Sequence, residues 1–389
     1  MIANILLILC GVVLIAYLID VFSAKIKVPS VVLLLTFGFA IKYSLQLLNI
    51  AIPDVSRILP LVGTVGLVLI VLEGALELKI DATKIPLIKK AFWVSWLAIL
   101  ILAVITVSWC YYVFNYSIND SIVNLMPLCI ISSAIAIPSA KSFNEINKEF
   151  VVYESSFSDI IGVVLFNFFV TTEIINLTAG LKFTSDLIFI LIITCLSTIA
   201  SAVLLYKINT HVKHVPLLAL ILLVYAITKL LHLPGLIYIL ILGLVFSNAS
   251  MFNKFKIFKK VRFDNFNAEV NSFTDLVIEA TFLIRILFFT LFGFSLNLDE
   301  LISTTELPYS IAFVVLIFLS RAVLLHLYKL PLVPVLFVAP RGLITILLFL
   351  SVPITSQLPL INKTLLIQMV LLTAFVLIFG GLLNKKSNL

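Results

Sequence analysis

Charge is what this chain holds least of. Asp, Glu, Lys and Arg make up 12% of its 389 residues and hydrophobic types 62%, and the mean hydropathy is +1.24. So little polar surface cannot solvate a globular domain, which excludes a soluble protein. No stretch between apolar runs is long enough for a separate soluble domain, and with only Asn384 to Leu389 after the last run no regulatory domain is expected. Cysteine is scarce. Cys10, Cys110, Cys129 and Cys195 all fall inside apolar stretches, without metal-ligand spacing or a disulfide framework. Histidine is scarce too: His211, His214 and His326 show no motif spacing to a nucleophile or a metal, so an intramembrane enzyme finds no support and no cofactor is expected. A basic segment ahead of the first apolar run is also missing, so that run reads as a retained span.

What the chain has in abundance is apolar stretches of about 20 residues, the length that crosses a bilayer's hydrocarbon core. Thirteen spans are predicted, at about 3–21, 28–48, 58–78, 91–113, 124–143, 154–176, 186–206, 215–231, 234–250, 276–297, 308–328, 332–352 and 363–383. Backbone polar groups cannot go unpaired in lipid, and the runs lack the alternation of a barrel, so the fold class is all-α.

Cytoplasmic loops collect Lys and Arg, and most of the 26 such residues fall on alternate loops, from Lys25 and Lys27 through Lys79, Lys84, Lys89 and Lys90 to Lys385 and Lys386. The opposite loops hold only Lys42, Arg57, Lys182, Lys229 and Lys363. A multi-pass protein of the cell membrane is expected, with its N-terminus outside and its C-terminus cytoplasmic. The net charge of +7 then belongs to loops facing anionic lipid heads, and the bilayer rather than a nucleic acid is the implied partner. The 254–275 loop, with five basic residues, is a candidate for pH control or a topology anchor.

Against this background a few charges stand inside the spans: Glu73, Glu154, Asp159, Arg285, Arg321 and Arg341. A charge at a helix centre costs roughly 2.5 to 3.5 kcal/mol on insertion scales and usually marks an ion or proton path. Asp159 is the most telling, because it ends the run Glu154-Ser155-Ser156-Phe157-Ser158-Asp159 just before an apolar helix. Ser155 and Ser158 offer hydroxyl oxygens to a hard cation, or bond back to their own backbone. For Arg285 the expected partner is the nearby Glu279, which leaves it outside the core site.

Two spans carry helix breakers at matching positions. Span five reads Ile131-Ser132-Ser133-Ala134-Ile135-Ala136-Ile137-Pro138-Ser139, and span twelve reads Ala339-Pro340-Arg341-Gly342 near its middle. A mid-span proline breaks or kinks its helix and frees carbonyls that can bind cations. The expected plan is inverted repeats, one at about 1–176 and one at about 215–383 around a linking helix at about 186–206, with the two discontinuous helices crossing near the midplane, as in secondary transporters.

At this point the residues resemble a known family. Leu72-Glu73-Gly74-Ala75-Leu76-Glu77-Leu78 is similar to the "FEGALEL" segment of NhaP-like sodium/proton exchangers of the cation:proton antiporter superfamily. The Glu154 to Asp159 run resembles their "ESLLND", and Pro340-Arg341-Gly342 their "LRG". Gly293-Phe294-Ser295-Leu296 and Ser320-Arg321-Ala322 also fall where the family has a helix end and a basic residue. The resemblance runs colinearly from about residue 60 to 350.

It implies an alternating-access antiporter, commonly a homodimer, in which Asp159 binds either a proton or a monovalent cation (Na⁺, with K⁺ or Li⁺ as alternatives). It also implies that Arg321 lies near Asp159, that Arg341 pairs with Glu154, and that Glu73 faces the ion cavity. Two departures stand out. The family's "TDP" is replaced by Ala134-Ile135-Ala136, which removes a hydroxyl and a carboxylate, and Asn-Asp is replaced by Ser158-Asp159. With a single carboxylate, one-for-one electroneutral exchange is the simplest expectation. The alternative is a proton- or sodium-coupled transporter of an organic or anionic solute on the same architecture. A non-transporting sensor would need a soluble domain to relay its signal.

Overall fold

The computed structural model describes residues 2–26, 28–49, 54–55, 57–78, 82–140, 143–172, 177–207, 213–231, 233, 235–248, 263–298 and 303–384. Among these residues the structure is all-helical. The elements are α1 (Ile2–Ile26), α2 (Ser30–Leu47), α3 (Ile58–Glu77), α4 (Ile85–Phe114), a broken α5 in two pieces, α5a (Ile118–Cys129) and α5b (Ser133–Ser139), α6 (Glu145–Thr171), α7 (Leu177–Lys207), α8 (His214–Leu230), α9 (Gly235–Ser247), α10 (Phe263–Phe294), α11 (Leu307–Leu327), a 3₁₀ turn (Val335–Phe337) leading into α12 (Leu343–Leu350), and α13 (Lys363–Asn384). With α5 taken as one, these thirteen correspond to the predicted spans. Eight helical stretches among the described residues are individually long and apolar enough to cross a membrane.

Local chemistry sets several ends. Asn144 caps α6 by accepting the Asn147 amide at 2.9 Å, which starts that helix nine residues before the hydropathy signal. Ser117 caps α5a through the Asp120 amide at 3.1 Å. Asn115 ends α4 in the left-handed region at φ 54°. The predicted 254–275 loop is shorter than expected, since α10 begins at Phe263; Lys254, Lys256, Lys259, Lys260 and Arg262 lie outside the described residues.

The helices gather into two packed groups. In one, α10 lies against α2 and α3, and α9 packs on α3, α7 and α8. Gly38 and Gly293 bring α2 and α10 into backbone contact, since a Cβ on Gly38 would strike the Thr290 carbonyl and one on Gly293 the Leu35 carbonyl. In the other group α4 packs on α5a, α6 and α11, and α11 on α13. The site lies along the seam between the groups.

Candidate ion site at the crossing of two broken helices

The break in α5 falls at Ile130–Ser132. Ala134, Ile135 and Pro138 are expected on this discontinuous helix, with Pro138 as its breaker; the break comes before them and not at the proline. All three lie within α5b, with Ala134 and Pro138 on a cavity wall and Ile135 buried. No breaker stands at 130–132, and tertiary partners explain the gap. Three consecutive amides released there each find an acceptor: Ile131 N–H donates to Ser158 Oγ at 2.9 Å, Ser132 N–H to the Pro340 carbonyl at 2.9 Å, and Ser133 N–H to Asp159 Oδ2 at 3.3 Å. Buried backbone groups must be paired, and here the second broken element and α6 do it. Pro340 thereby ties the two discontinuities together. Gly342, the residue before α12, sits so close that an added Cβ would lie 2.7 Å from both Ser132 Oγ and an Ile135 methyl.

The arginines are arranged otherwise than the resemblance implies. Arg341, fully buried, pairs with no carboxylate: its guanidinium donates to the carbonyls of Leu128 (2.7 Å), Cys129 (3.2 Å) and Ala339 (3.0 Å). It closes the C-terminal end of α5a, where the helix dipole favours a cation. Those carbonyls, freed by the break, therefore serve Arg341. Arg321 takes Glu154 in its place, through Nη1 to Oε1 and Nη2 to Oε2 at 2.7 Å, and also donates to the Val335 carbonyl at 3.0 and 3.2 Å. Both side chains are almost wholly buried. The fork of an arginine matches a carboxylate in this two-point fashion. Sequence order identifies the spans that carry these charges but not which way each side chain turns.

Asp159 is left with one partner. Its Oδ2 accepts the Ser133 amide, while its buried Oδ1 has no partner among the described residues. Ser158 has its hydroxyl oxygen engaged by the Ile131 amide, and Ser155 donates back to the Val151 carbonyl at 2.7 Å. Asp159 borders a chamber of about 20 Å³ formed by α3, α6, α9 and α12. A larger cavity of about 510 Å³ opens between α1, α2, α3 and α10 on one side and α5b, the 3₁₀ turn and α13 on the other. Asp20, Glu73, Glu77 and Arg285 line it. Arg285 meets Glu73 there, Nη2 to Oε2 at 3.0 Å, and not Glu279. The need of every buried charge for a partner was a signal that could have joined these two in advance.

The family described as "Sodium/hydrogen exchanger, transmembrane" matches residues 11–385. This chain is a member of the sodium/hydrogen exchanger family. The family consists of multi-pass membrane transporters. In fold this exchanger is similar to the sodium proton antiporter MjNhaP1 from Methanocaldococcus jannaschii at pH 8, with a TM-score of 0.70 and 20% identity over 97% of this chain and 95% of that one. An electron-microscopy structure of the same antiporter gives 0.68 and 17% identity over 100% and 96%. Among curated proteins, none matches this exchanger.

Proposed function

We propose that this exchanger moves a monovalent cation, of the set Na⁺, K⁺ and Li⁺, against protons across the cell membrane by alternating access, with the two competing at Asp159. The observation that carries the reading is the unpartnered Oδ1 of Asp159, buried at the seam between the two helix groups. A carboxylate oxygen without a donor in such a place is stable only with a proton or a cation beside it. Its neighbours supply what each half of the cycle requires: a pocket wall from one helix group and a broken-helix amide from the other. Relative movement of the groups would expose that wall to alternate sides.

Glu154 with Arg321, and Arg341 with its carbonyls, hold the crossing in this reading rather than carry the ion. Ser155 and Ser158 act through the backbone. Glu73, held by Arg285, forms part of the wall of the larger cavity through which cations enter, whose mouth faces the cytoplasm if the N-terminus is outside. The inverted repeats at about 1–176 and 215–383 and a homodimer belong to the same proposal.

The test is proton efflux from proteoliposomes holding an acid-inside gradient, on adding Na⁺, Li⁺ or K⁺ outside. Cation-dependent efflux from the native protein that Asp159→Asn abolishes is the expected result and names the ion. Folded protein that answers none of the three ions would defeat the reading and favour solute transport on the same architecture.

A further inference from the structure

Ile70 and Gly74 line both the larger cavity and the small chamber beside Asp159. They stand one turn apart on α3, so they share a face of that helix. Towards the mouth the next turn brings exposed Glu77, while Glu73 and Arg285 meet on the cavity wall beside them. The order along α3 therefore runs from open water to the buried carboxylate, with Gly74 on the lining of both cavities.

Glycine weakens a helix interior relative to alanine, so it needs a reason to be there. In this part of the fold the reason is usually close packing. On α3 itself, a Cβ at Gly63 would meet Leu347 at 2.8 Å and one at Gly66 would meet Ile284 at 2.8 Å. On α9, one at Gly243 would press on Ala75 at 2.6 Å. Gly74 differs from all three, because a Cβ there meets nothing within 4 Å. Packing does not require the glycine, and the space it leaves lies where the linings of the two cavities meet. The inner chamber, at about 20 Å³, has room for one water molecule or one largely dehydrated monovalent cation.

We propose that Gly74 is the aperture between the larger cavity and the Asp159 chamber, its missing side chain setting the width of the passage for the cation and its accompanying water. The inference rests on Asp159 as the loading carboxylate, and it names the residue that controls access to it.

The experiment reads access separately from transport. Ag⁺, a thiol-reactive monovalent cation, is applied to protein carrying Ser156→Cys, since Ser156 lines the inner chamber and is buried. Mass spectrometry then measures how fast the thiol at position 156 becomes protected from alkylation, with a parallel protein carrying Glu77→Cys at the cavity mouth as the control. Adding Gly74→Leu is expected to slow the reaction at 156 by about ten-fold or more, and Gly74→Ala by less, with the rate at position 77 unchanged, because passage through a constriction follows its diameter. Should the leucine variant not fold, Gly74→Val is read in its place. Equal rates at position 156 across the size series would overturn the aperture. Slowed silver access together with no cation-driven proton flux in the parent would keep the aperture and reject antiport; intact flux with equal silver rates would do the reverse.

Discussion

Arg321 of α11 holds Glu154 of α6 through both carboxylate oxygens, and so fastens the helix that carries Asp159 to its neighbour. Removing either partner strands the other charge away from water, at a cost of about 3 to 5 kcal/mol, whereas replacing both with apolar residues of similar size is often tolerated. Glu154→Leu and Arg321→Met should each lower the melting temperature in detergent, and the double variant should recover most of the loss. A double variant as unstable as the sum of the singles would mean that the pair is not the unit.

Arg341 should resist even its conservative replacement. Arg341→Lys puts one ammonium where a planar fork reaches three carbonyls, and hydrogen bonds to a charged group contribute about 1.5 to 3 kcal/mol each. Hydrogen exchange at residues 128–135 should rise in this variant while α10 stays protected. Uniform exchange across both helix groups would instead indicate global destabilisation.

Arg285 neutralises a carboxylate of the larger cavity. Arg285→Gln should release Glu73 to attract cations and lower the half-saturating cation concentration of proton efflux by roughly three-fold or more. Adding Glu73→Gln should remove the gain. An unchanged concentration in the single variant would show that the pair has no influence on loading.

Acid should loosen the start of α11. Hydrogen bonds from Ser303, Thr305 and Asn362 hold the Glu306 carboxyl down at about 2, below the ordinary 4.5. A lowered folded value means stability that is present above the unfolded value and lost as pH falls through that interval. Melting temperature should therefore decline between about pH 4.5 and 2 less steeply for Glu306→Gln than for the native chain. Parallel slopes would rule out Glu306 as a contributor.

The spans were legible because hydropathy alone defines them, and each charge inside them was legible because it violates that rule. What escaped was direction. Ser132 and Ser133 carry no breaker signal, and their helix stops only because Pro340 and Asp159, distant in sequence, accept their amides. Pro138 looked like the break yet sits in the last turn of α5b, where it frees the Ala134 carbonyl without ending the helix, which runs on to Ser139. The exchange of partners between Arg321 and Arg341 has the same origin: both lie on the expected elements, and only side-chain packing decides that one meets a carboxylate and the other a row of carbonyls. Arg285 went astray for a simpler reason, since a neighbour in sequence was preferred to one across the cavity.

Arg341 is a cation held entirely by neutral carbonyls, and Glu154 cancels Arg321. In the proposed cycle Asp159 is neutral whether it carries one proton or one monovalent cation, so the two loaded forms would cross with the same net charge. Such an exchange would move no net current over a full turnover and would be driven by the pH difference.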